Sequence, residues 1–148
     1  MMEKWKKFLS LEIGIEIKAC LYFALILFYY FLYCVLKGNL YASILLMAEI
    51  VLTAYAMSYL QVYALHNFDE SERFNAKVAV LSLLCSALYT AVSYALRWYD
   101  RNLTATICFF GYMLLCYACT YLIFKIKRDI DTAHLNRELE NFKKQREK

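Results

Sequence analysis

Cys116 and Cys119 stand three residues apart in Cys116-Tyr117-Ala118-Cys119, the C-x-x-C spacing of dithiol redox motifs. In a membrane protein that spacing raises quinone-linked thiol oxidoreductase chemistry, which needs a thiolate in positive, watered surroundings. Both thiols instead fall within an apolar run, and Cys20, Cys34, Cys85 and Cys108 supply no second pair in a loop. Cysteine also packs well as a small apolar side chain, and packing is the reading favoured here. The other reactive group is Glu49, alone within SILLMAEIVLTAYAMSYLQVYAL, residues 43–65. A carboxylate deep in such a stretch is costly and must face a protein interior. It acts as a polar clasp, pairs with Arg97 (Lys37 being a weaker partner), or serves proton or ion transport. Gln61 lies near the inner end of the stretch and makes a poor second station for transport. His66 and His134 are isolated, so no metal set is expected, and there is no H-E-x-x-H and no glycine-rich phosphate loop. No nucleophile, base and orienter assemble, so the chain is expected to be non-enzymatic, with no cofactor and no metal.

The elements that position these residues are written in the hydropathy. Hydrophobic residues make up 62% of the 148, there is no proline, and the apolar residues are clustered in four runs. Each run is long enough to cross a hydrocarbon core of about 30 Å as a helix. The reading is an all-α, integral membrane four-helix bundle forming a single domain over residues 1–148. Its spans are predicted at about 19–36, 40–65, 76–96 and 102–124. Residues 1–18 form an amphipathic lead-in with Trp5, Phe8, Leu9, Ile13 and Ile17 on one face, and Gly14 as its weak point. Lys37-Gly38-Asn39 is so short that the first two spans must form an antiparallel hairpin. Asp69 and Glu72 have capping-box spacing and predict a helix start that leads into the third span. The aromatics Tyr22, Tyr41, Tyr63, Trp98, Tyr99 and Tyr121 are expected at the headgroup layer, with Tyr29, Tyr30, Tyr55, Tyr89 and Tyr94 deeper.

Of the 17 Lys and Arg residues, 14 lie in the N-terminus, the middle loop and the tail. The positive-inside rule then puts both termini and the middle loop in the cytoplasm. Residues 125–148 are polar, mixed in charge and free of glycine and proline, and predict a cytoplasmic helix continuing from span four. Lys127 with Asp131, Glu140 with Lys144, and Lys143 with Glu147 have ion-pair spacing. Leu135, Leu139 and Phe142 make a short apolar stripe, either part of a solvated tail or a docking face for a partner or a second copy. The tail's basic residues are diluted by acids, which suits a lipid bilayer or a protein and not direct nucleic-acid binding.

The strings LEIGIEIKACLYF (11–23), NFDESERF (67–74) and YLIFKIKRDIDTAHLNRELENFKK (121–144) cover the span ends, the middle loop and the tail. Together they resemble a family of short bacterial four-span membrane proteins known as a domain of unknown function. Some members of that family pair with LytTR-type transcription regulators and hold them inactive. The resemblance implies a bacterial cytoplasmic-membrane protein that binds and restrains such a cytoplasmic DNA-binding regulator. The expected contact residues are Asp69, Glu70, Glu72 and Arg73 in the loop and Leu135, Arg137, Leu139 and Phe142 on the tail. Glu49, Arg97 and Gln61 are the intramembrane polar set. The alternatives are an accessory subunit of a larger membrane complex or transporter, a thiol oxidoreductase using Cys116 and Cys119, and a proton-coupled transporter centred on Glu49.

Overall fold

The computed structural model describes residues 2–68, 71 and 73–146. Four helices carry the chain: α1 Met2–Leu36, α2 Ile44–Tyr59, α3 Ala76–Ala95 and α4 Leu103–Arg146. A π-helical turn, Leu60–Ala64, prolongs α2. All four are long and apolar enough to cross a membrane. In the most apolar window of each, only about a third of the residues or fewer are buried inside the bundle. The remaining apolar side chains, such as Phe28, Leu52, Val80 and Leu115, point outward. Water would not tolerate that surface, and a bilayer requires it.

The helices pair as two hairpins, α1 with α2 and α3 with α4, docked against each other. The start of α1, the π-helical turn after α2, the start of α3 and the far part of α4 therefore lie at one end of the bundle, called here the terminal end. The 37–43 and 96–102 connections lie at the other, the two-loop end. Each turn has a local cause. Gly38 sits at φ 72° past the end of α1, and its N–H donates to Val35 O at 3.0 Å while that of Asn39 donates to Cys34 O at 3.0 Å. This is a Schellman stop, where a residue without Cβ is at home. α3 ends in the same way: Arg97 N donates to Tyr94 O at 3.3 Å and Trp98 N to Ser93 O at 3.0 Å. Here the left-handed position, φ 59°, is held by Arg97 and not by glycine. Asn102 then caps α4 by accepting from Thr104 N at 3.1 Å.

Several expected boundaries move. The lead-in and span one are a single 35-residue helix, and Gly14 does not break it. Span two was read from Leu40, but 39–43 are non-helical and α2 starts at Ile44. Leu40 and Tyr41 are exposed residues of the connection, where apolar character reflects the membrane boundary. α3 starts at Ala76 after extended Asn75, not from the Asp69–Glu72 spacing; both acids lie outside the described residues.

The core is aromatic. Tyr22 stacks at 5.1 Å on Tyr117 and at 6.1 Å on Tyr89. Tyr29 touches Tyr99, Phe109 and Tyr112 at 5.1–5.3 Å. Tyr22, Trp98, Tyr99 and Tyr121, expected near the span ends, are buried within the bundle. Tyr41 and Tyr63 are exposed. Of the tyrosines expected deeper, Tyr30 and Tyr89 are buried and Tyr29 partly so, whereas Tyr55 and Tyr94 face outward.

Candidate functional site

A set of polar bonds joins the two hairpins from mid-span to the two-loop end. Tyr29 OH donates to Ala105 O at 2.8 Å, Tyr33 OH to Tyr99 O at 3.0 Å and Tyr112 OH to Leu25 O at 2.9 Å. Each of these three phenols finds a backbone carbonyl of the facing hairpin, as an apolar interior favours, whereas the buried Tyr99 hydroxyl has no hydrogen-bond partner among the described residues. Lys37 Nζ meets Asp100 Oδ2 at 2.6 Å. Asp100 first, and then the Tyr33 hydroxyl, hold the Lys37 ammonium above the ordinary lysine range.

Glu49 belongs to this set. Its Oε2 accepts a hydrogen bond from the Trp98 indole at 3.1 Å. The carboxylate is half-buried, and its partner is Trp98 and not the neighbouring Arg97, whose side chain is exposed. Arg97 leaves the end of α3 in the left-handed region, and the residue after it turns inward. Glu49 thus ties α2 to the α3–α4 connection.

Gln61 lies deeper. It is wholly buried, and its Nε2 donates to the Tyr117 hydroxyl. The π-helical turn carries it, and such turns rotate side chains off the regular helical register. Gln61 Oε1, Ser58 Oγ and Ser86 Oγ have no hydrogen-bond partner among the described residues.

At the terminal end, two residues that sequence reasoning passed over hold the middle loop. Lys18 directly precedes the first apolar run. It is only 2% exposed, bonds to Asn67 Oδ1, and lies 5.6 Å from the Phe124 ring centroid. Arg128 Nη2 donates to Ser71 O at 3.1 Å. The loop is thus fastened to α1 through Lys18 and to the root of the tail through Arg128. The signals available in the sequence were a lysine directly before the first apolar run and an arginine one turn past Phe124.

Beyond Arg128 the tail runs on as part of α4 with no other element against it. Leu135, Leu139 and Phe142 are 59%, 52% and 68% exposed. Arg137 and the loop residue Arg73 are exposed too, while Asp69, Glu70 and Glu72 lie outside the described residues. Among the described residues of the tail, the close ion pair is His134 with Glu138 at 3.7 Å. Lys127–Asp131 and Glu140–Lys144 are not closed; Glu147, the expected partner of Lys143, lies outside the described residues. Exposed pairs gain little over hydration, so spacing alone does not close them.

The six cysteines are free. Cys116 is buried in the bundle and Cys119 is exposed on the same helix, so the two thiols face different surroundings. Among the described residues no three His, Cys, Asp or Glu side chains gather as a metal site. No family model, curated protein or solved structure matches the chain.

Proposed function

We propose that this chain is a non-enzymatic membrane protein of the bacterial cytoplasmic membrane that binds and restrains a cytoplasmic DNA-binding regulator, of the LytTR type. Both termini lie in the cytoplasm in this reading, as the charge distribution favours. The observation that carries it is the tail. A helix of about 27 Å extends past Arg128 with Leu135, Leu139 and Phe142 uncovered on one face. An amphipathic helix with anchors four and three residues apart is a common docking element for a groove in a partner. Arg137 borders the stripe. The acidic loop residues Asp69, Glu70 and Glu72 complement a basic DNA-binding surface, and Arg128 joins loop and tail into one face.

The test is mild crosslinking in native membranes followed by capture of the intact chain and of one lacking residues 125–148. Recovery of a DNA-binding regulator with the intact chain alone supports the reading. Recovery of the same integral proteins with both chains replaces it with the second reading, an accessory subunit of a larger membrane complex. That second reading draws on an apolar groove of about 270 Å³ between α3 and α4, lined by Val78, Leu83, Leu114 and Tyr121.

A further inference from the structure

A cavity of about 260 Å³ opens at the two-loop end between α1, the 39–43 segment and the 97–100 connection. Its walls include Tyr30, Tyr33, Tyr41 and Trp98, and its charged groups are Lys37, Arg97 and Asp100. Lys37 and Asp100 neutralise each other at 2.6 Å. Glu49 is bonded to the indole of Trp98 and does not line the cavity. The Arg97 guanidinium is left with no hydrogen-bond or ion-pair partner among the described residues. The cavity therefore presents one uncompensated guanidinium beside aromatic rings.

The backbone makes this placement more telling. Arg97 occupies the left-handed stop position of α3, at φ 59°. A side chain there is disfavoured relative to glycine, and Asp100, at φ 50° in the same cavity wall, shares that region, so two left-handed residues present charged side chains at this cavity. A guanidinium is the side chain best suited to two oxygens of one anion. Leu36, Leu40 and Ile44, the chain neighbours of the lining residues Lys37, Asn39, Tyr41 and Ser43, are exposed and apolar. A ligand that joins an oxyanion to hydrocarbon meets both surfaces at once.

We propose that this cavity is a binding site for the phosphoryl headgroup of an anionic phospholipid, seated on Arg97 against Tyr41 and Trp98, with its acyl chains along Leu36, Leu40 and Ile44. The site stands independently of the regulator reading. The same phosphoryl chemistry would also come from a soluble phosphate ester, and the probes separate the two sources.

The full chain is purified in a neutral detergent with Trp5→Phe, which leaves Trp98 as the single indole reporter. Its fluorescence is titrated with dihexanoyl phosphatidylglycerol, with glycerol 3-phosphate and with neutral dihexanoylglycerol. The expected result is a saturable change with the phosphatidylglycerol, at least tenfold weaker with either other probe. Arg97→Gly keeps the backbone at ease at φ 59° and is expected to weaken phosphatidylglycerol binding at least tenfold while unfolding no earlier than the parent. Glycerol 3-phosphate binding as tightly as the lipid would overturn the lipid assignment in favour of a soluble ester. Equal binding of the neutral lipid, or undiminished binding by a folded Arg97→Gly chain, would overturn the anion site.

Discussion

The bond between Trp98 and Glu49 joins the two hairpins at 3.1 Å, and its strength can be isolated. A hydrogen bond to a charged group is worth about 1.5–3 kcal/mol in water-soluble proteins. Interhelical polar contacts in membranes average about 0.6 kcal/mol and reach about 1.7. Trp98 is buried and the acceptor is a carboxylate, so the upper membrane value applies. We expect a coupling energy of about 1.5 kcal/mol, roughly a tenfold change in the unfolding equilibrium. The cycle uses Trp98→Phe, Glu49→Met and the double variant. Trp98→Phe leaves a half-buried carboxylate without its donor and is the most damaging. Glu49→Met trades that carboxylate for an apolar side chain and costs less. Unfolding is followed by circular dichroism in mixed micelles as the denaturing detergent fraction rises, because helix content reports on all variants alike. A second cycle pairs Glu49→Met with Arg97→Gly. Coupling below about 0.5 kcal/mol in the first cycle, or larger coupling in the second, would refute the assignment of Trp98 as the partner.

Lys18→Met and Arg128→Gln each remove a tether of the middle loop, and loss of about 1–2 kcal/mol should raise its opening five- to thirtyfold. Limited proteolysis within residues 66–75 reads this directly, and rates within twofold of the parent would place the restraint elsewhere. The Lys37–Asp100 contact gives a pH dependence with a defined sign. The folded-state pKa of Lys37 is raised above its ordinary 10.5, so its contribution is full below that value and is lost as pH rises beyond it. The stability difference between the parent chain and Lys37→Met should therefore stay flat from about pH 6 to 9 and shrink above the lysine range. A difference that grows with alkalinity would contradict the raised value.

Four spans were legible because hydrocarbon leaves a chain no other way to satisfy its backbone. The continuous tail was legible too, since nothing in residues 125–148 stops a helix. The facing of the spans was not. Their apolar residues surround the helix, so no stripe marks the inner side, and Gln61 was placed by depth alone. The π-helical turn at Leu60–Ala64 that carries it has no residue signature. Tyrosine hydroxyls were known to need partners, but the carbonyls of Leu25, Tyr99 and Ala105 that accept them carry no side-chain mark. Trp98 looked like a headgroup anchor because tryptophan at a span end usually is one. Only the left-handed turn at Arg97 swings it inward to Glu49. Leu40 and Tyr41 were counted into a helix because interfacial coil and helix share the same composition.

The unbroken course of α4 has a mechanical consequence. No glycine or proline occurs between Tyr112 and Arg146, so span and tail form one stiff rod with its fulcrum near Arg128. About 27 Å of that rod lies past the fulcrum, and a tilt of about 10° displaces its tip by about 5 Å. The tilt of such a helix is set by its packing against its neighbours, here α3 above all. Any tilt of the membrane-crossing part of α4 is therefore carried to Phe142 without an intervening hinge.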